Sequence, residues 1–132
     1  MRRLTTIAAV LLSLTTVGAA LAAGGLGKYQ IKITGHGAKS EHGRLDGTWT
    51  VGFPTPGSGT VKLTWDGRPA GGGRYVISGS TITLTPKPGH SCTVTGKYRF
   101  KLSGGTLTFT KVSDPCADRR HILTYATWMK IG

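Results

Sequence analysis

Lys97-Tyr98-Arg99-Phe100-Lys101-Leu102 alternates a cation with an apolar side chain over six residues. That two-residue period belongs to a strand with one face buried and the other in water. Tyr98, Phe100 and Leu102 share one face, and the three cations share the other. Just downstream, Ser103-Gly104-Gly105 makes a tight hairpin turn. Thr106 to Lys111 then repeats the alternation with Leu107 and Phe109 inward.

Upstream, the same logic predicts a second hairpin, from Arg74-Tyr75-Val76-Ile77 through Ser78-Gly79-Ser80 to Thr81-Ile82-Thr83-Leu84-Thr85. Leu45 to Phe53 and Val61 to Trp65 read as further strands, with threonine on outward positions, where a β-branched residue suits a strand and resists a helix. Tyr29 to Thr34 at the start and His121 to Lys130 at the end bring the count to about eight. Every connection is short enough for neighbouring antiparallel strands. The expected fold is therefore all-β, an antiparallel up-and-down barrel, with a two-sheet β-sandwich as the alternative of equal strand count. Pro69 and the run Gly71-Gly72-Gly73 argue against a central paired strand there and for a bend or bulge. Gly35 to Gly43, Pro54 to Gly59 and Pro86 to Ser91 are the expected loop tips.

Residues 1–22 stand apart from this pattern. Arg2 and Arg3 precede an apolar stretch from Ile7 to Val17, and Ala20-Leu21-Ala22 ends it. This order predicts a secretory signal cut after Ala22, so that residues 23–132 form one exported domain with no membrane span; an uncleaved anchor is the rival reading. A domain of that size has a marginal core and gains from a covalent tie. Cys92 and Cys116 are the only cysteines. In an exported chain such a pair is expected as a disulfide, since two thiols alone do not complete a zinc shell.

The chain carries a formal charge of +12, and removing Arg2 and Arg3 leaves 15 minus 5, or +10. Such a field favours anionic partners, although cations also serve solubility and edge protection on a small barrel. The mature part has five carboxylates, Glu41, Asp46, Asp66, Asp114 and Asp118, none in an acid/base motif with another. It has no Gly-x-Ser-x-Gly elbow, phosphate-cradling loop or dinucleotide fingerprint, so the expectation is a protein that is not an enzyme. His36 and His42 share a glycine-rich loop, His90 neighbours Cys92, and His121 begins the last expected strand. They read as solvated histidines, with no metal site or cofactor expected. In the Lys97 to Leu102 strand, aromatics and cations face opposite ways, whereas a single-stranded nucleic-acid platform needs both on one face. Nucleic acid is accordingly not the expected partner.

Gly47-Thr48-Trp49 is a Gly-x-Trp near the start of the first long strand, and Arg119 lies near the start of the last. This resembles the lipocalin and calycin barrels, in which an arginine from the final strand covers a tryptophan near the closed end. A wider series comprises Gly73-Arg74-Tyr75, Cys92, Gly96-Lys97-Tyr98, Gly105-Thr106-Leu107-Thr108, Asp114-Pro115-Cys116-Ala117-Asp118-Arg119 and Trp128. It looks like the small exported lipocalin-like domains of bacteria over roughly Leu45 to Lys130. The resemblance implies an antiparallel barrel with Cys92 joined to Cys116 and a structural Trp49–Arg119 pair. It implies little about the ligand.

The interior of an eight-stranded barrel is either filled by side chains or occupied by one small molecule. Trp65, Tyr75, Tyr98, Phe100 and Phe109 are the candidate pocket residues, with Trp49 beside them. The leading expectation is a secreted or extracytoplasmic binding protein for a small hydrophobic or amphipathic ligand, with the cations favouring an anionic group. The alternative is a secreted interaction protein, such as a protease inhibitor or a module that binds an anionic envelope polymer, acting through its loops or its amino terminus around Gly24 to Lys28.

Overall fold

A computed structural model describes residues 26–34, 39–40, 43–54, 59–87 and 92–132. The expected signal over residues 1–22 lies outside these, as do Glu41, His36, His42, His90 and most of the three loop tips.

Eight strands close into an antiparallel barrel: β1 (Gly27–Ile33), β4 (Gly47–Phe53), β5 (Thr60–Trp65), β6 (Arg68–Ser78), β7 (Thr81–Pro86), β8 (Gly96–Ser103), β9 (Thr106–Ser113) and β10 (Trp128–Lys130). The order around the barrel is β1-β10-β9-β8-β7-β6-β5-β4, returning to β1. Closure sets the sandwich aside. A two-residue ribbon of β2 (Lys39–Ser40) and β3 (Gly43–Arg44) lies apart from it. The turns expected at glycines are seen: Gly104 and Gly105 both take positive φ between Ser103 and its partner Thr106, and Gly79 does so between Ser78 and Thr81. Inward residues follow the two-residue period, and Tyr98, Phe100, Leu107 and Phe109 are all buried.

The chain departs from the expected pattern at two places. The expected final strand from His121 to Lys130 is instead a helix, α1 (Ala117–Thr124), followed by the three residues of β10. Asp118-Arg119-Arg120-His121 has no alternation, and the adjacent Ile122 and Leu123 cannot both face inward on a strand. On a helix, neighbours 100° apart share a face, and both are buried. Arg120 N–H donates to Cys116 O at 3.1 Å, the i to i−4 bond that starts the turn. Because β10 is so short, it pairs only with Leu107 and Thr106 of β9 and with Tyr29 and Gln30 of β1. The helix spans the seam beyond: it packs on β9, and just past its end Tyr125 Oη meets Thr34 N and O at 3.5 and 3.4 Å.

The second departure is at Pro69. This residue does pair, opposite Thr64, and the register slips between Leu63 and Thr64, so the bulge is there but the strand is not interrupted. Pairing of β6 with β7, however, begins only at Gly73 opposite Pro86. Arg68 to Gly71 therefore has a partner strand on one side alone among the described residues. Lys87 N–H donates to Gly72 O at 3.2 Å, the last described contact of the β7 side with β6 before this stretch.

Candidate functional site

Beside this stretch of β6 lies a cavity of about 670 Å³. Its inner walls come from Trp49 and Val51 of β4, Leu63 of β5, Phe109 of β9, and Ile122 and Leu123 of α1. All are apolar and, Leu63 apart, buried. The mouth is framed by the exposed Arg68, Pro69 and Ala70 on one side and by Thr93 and Val94 on the other. Gly71 contributes no side chain to this wall. A Cβ there would meet only Leu63 at 3.8 Å, an ordinary contact, so the missing side chain leaves volume in the cavity and relieves no clash.

One flank is a tryptophan stack. Trp49 and Trp65 are cross-strand partners, with ring centroids 5.1 Å apart and planes 5° from parallel. Both indoles are anchored to consecutive carbonyls: Trp49 Nε1 donates to Leu45 O at 2.8 Å and Trp65 Nε1 to Asp46 O at 3.0 Å. Gly47 is required beneath them, for its φ is +141° and a Cβ would run into Trp65 Nε1 and the Asp66 carboxylate. The glycine is thus required by Trp65 and Asp66 beyond β4, and not by Trp49 of its own Gly-x-Trp. Asp66 and Gly67 form the next turn, both at positive φ. Asp66 binds back to β4, its N–H donating to Thr48 O and its Oδ1 accepting from Thr48 N, each at 2.8 Å. The tight turn makes Trp65 and Arg68 direct partners, so both lie at the mouth.

The opposite flank is built on Asp114, which is 5% exposed. Arg119 grips it with two bonds, Nε to Oδ2 and Nη2 to Oδ1, both 2.7 Å. Tyr98 Oη donates to Oδ2, and Cys116 N donates to Oδ1 at 2.9 Å. Burial alone would raise the carboxyl pKa. The hydrogen bonds from Arg119, Tyr98 and Cys116 N–H, with the Arg119 charge, outweigh burial and hold it below the ordinary value. Burial, reinforced by the bond to Asp114, pushes Tyr98 well above an ordinary phenol. Arg119 Nη2 also donates to Val94 O at 2.8 Å, tying α1 to the chain beside the mouth. Cys92 and Cys116 are disulfide-bonded with Cα atoms 5.9 Å apart and form part of the cavity wall.

Of the pocket residues expected from the sequence, Trp65 and Phe109 line the cavity. Tyr75 is buried edge-on against Phe53, with centroids 5.0 Å apart. Tyr98 belongs to the Asp114 cluster, and Phe100 is buried opposite Phe109; none of these three lines the cavity. Trp49 and Arg119, the expected structural pair, both border it. The ring stacked on Trp49 is Trp65, and Arg119 lies on α1, not a strand, with its guanidinium committed to Asp114 and Val94 O. Arg68 and Ile122 were not among the expected site residues. Asp66-Gly67 is a two-residue hairpin signal that places Arg68 opposite Trp65, whereas Ile122 has no such local mark.

Among the described residues, no group of three or more His, Cys, Asp or Glu side chains could hold a metal ion. The arrangement offers a mainly apolar cup with Arg68 at its mouth and Asp118 and Arg119 also in its lining, suited to holding a molecule by burial and orienting it by charge. Compared with known proteins, no family model, curated protein or solved structure matches this chain.

Proposed function

We propose that this chain is an exported, non-enzymatic, lipocalin-like barrel that binds a small amphipathic molecule in the cup between β4, β5 and α1. The apolar part of the ligand lies against Val51, Leu63 and Phe109, and its anionic group meets Arg68 at the mouth. The observation that carries this reading is the cavity itself: about 670 Å³ behind an exposed arginine, within the roughly 300–1,000 Å³ that small-molecule sites occupy. An apolar tail gains roughly 25 cal/mol for each Å² it buries, and a guanidinium pairs well with a carboxylate or phosphate. A small disulfide-bonded barrel fits an extracellular setting, and the closed eight-stranded architecture is compatible with the lipocalin-like expectation.

The test is a titration with a fluorescent long-chain fatty acid, read by energy transfer from tryptophan. Gly71→Leu fills the cup from a position with room for a side chain, and should abolish binding without lowering the melting temperature. Arg68→Gln should weaken the fatty acid about tenfold and leave the matching fatty alcohol unchanged. Equal binding by Gly71→Leu and the parent protein would refute the cup as the site.

A further inference from the structure

The charges of this molecule are segregated along the chain. Residues 67–113, which run from β6 through β9, contain Arg68, Arg74, Lys87, Lys97, Arg99, Lys101 and Lys111 and no Asp or Glu. We infer that the outer face of β7, β8 and β9 is a docking surface for a linear phosphodiester polymer of polyol units, of the poly(glycerol phosphate) type, lying along β8.

Three features of the sheet carry this. Lys97, Arg99 and Lys101 form one outward row on β8, all exposed. The register flanks them with hydroxyls: Thr83 and Thr81 of β7 sit opposite Lys97 and Arg99, and Thr110 and Thr108 of β9 opposite Arg99 and Lys101. No carboxylate of these strands neutralises the row. Cations commonly guard the free edge of a sheet, but β8 is paired on both sides in a closed barrel and has no edge to guard. Solubility is served by interspersed signs, whereas three like charges in a row repel one another until an anion bridges them.

The spacing suggests the kind of anion. Alternate residues of a strand lie about 6.8 Å apart, an interval comparable to that between phosphates joined through a three-carbon polyol. Lys and Arg supply the charge, and threonine hydroxyls add neutral donors to phosphate oxygens. The aromatics of β8 are turned away, for Tyr98 and Phe100 are both buried. A nucleic acid would find no ring on which to stack its bases, which favours a polymer without bases. The surface lies outside the barrel and is independent of the cup.

The experiment measures binding of fluorescently labelled poly(glycerol phosphate) to the purified protein by anisotropy over a salt series. Affinity should fall linearly with log salt, by about 0.7 log unit per phosphate engaged. Replacing Lys97, Arg99 and Lys101 together by Gln should weaken binding at least tenfold and make the salt slope shallower by about 2. The triple variant Lys28→Gln, Lys32→Gln, Lys62→Gln removes the same charge from β1 and β5, and should bind within about twofold of the parent protein. Circular dichroism melts of both variants check that the barrel is intact. Equal weakening by the two variants would reduce the effect to net charge and overturn the proposal. Equal or tighter binding of single-stranded DNA, or of a uronic-acid polymer of matched charge, would overturn the assignment to a polyol phosphate.

Discussion

Arg119 holds both oxygens of Asp114, Nε on Oδ2 and Nη2 on Oδ1, each at 2.7 Å, and so ties the first turn of α1 to the segment that leaves β9. The Asp114 side chain is fully buried and that of Arg119 is 13% exposed. Breaking a buried pair by removing one partner leaves an uncompensated charge, at a cost of about 3–5 kcal/mol. Asp114→Ala and Arg119→Ala should each destabilise the protein by that order in urea denaturation. Tyr98→Phe, which removes one donor to a charged acceptor, should cost about 1.5–3 kcal/mol.

The same carboxylate predicts an acid transition. Its folded pKa is lowered by Arg119, Tyr98 and Cys116 N–H against the opposing effect of burial. As the pH falls below about 4, the ordinary carboxylate value, the unfolded state takes up a proton first. The stability contributed by Asp114 is therefore fully present above about pH 4 and is lost as the pH falls toward the folded value. Melting temperatures from pH 6 to pH 2 should drop more steeply for the parent protein than for Asp114→Asn. Parallel curves would show that the pair contributes nothing to acid stability.

Gly96 sits against this pair. A Cβ added there would lie 2.6 Å from Arg119 Nη2 and 2.7 Å from Asp114 Oδ2. Gly96→Ala should therefore cost about 2 kcal/mol or more by overpacking. Gly79→Ala meets nothing within 4 Å and pays only for its φ of +60°, about 1 kcal/mol. In a background of Asp114→Ala and Arg119→Ala the penalty at Gly96 should largely vanish, since residues in contact are not additive. A penalty that persists there would place its cause in the backbone.

The disulfide joins residues 24 apart, which in the chain-entropy account is worth roughly 3 to 3.5 kcal/mol. Reduction, or Cys92→Ala with Cys116→Ala, should lower stability by that order. Because both cysteines belong to the cavity wall, reduction should also weaken the fatty-acid probe at temperatures where the barrel remains folded. Unchanged affinity on reduction would separate the disulfide from the cup.

Several strands were legible at once because a two-residue period is a local property. Lys97 to Leu102 and Thr106 to Lys111 alternate so strictly that only a half-buried strand satisfies them, and their turn lies at Gly104-Gly105 as the glycines require. The end of the chain was less legible. His121 to Lys130 mixes the last turn of a helix with three residues of strand, and neither is long enough to impose its own period. Asp114 and Arg119 stood out as a spaced motif, but their partners Tyr98 and Val94 are more than a dozen residues away.

The sequence by itself determined that this is a β protein with alternating faces, tight glycine turns, a single cysteine pair and an excess of cations, because each of these is written in composition or in neighbours along the chain. Tertiary structure alone decided which inward aromatics front a cavity. Trp65, Tyr75, Tyr98, Phe100 and Phe109 were all expected to face inward. Side chains of β4, β5, β6, β9 and α1 together enclose space beside Trp65 and Phe109, while Tyr75, Tyr98 and Phe100 are buried elsewhere in the core. A void is set by how distant strands close on one another, and no local period encodes that distance.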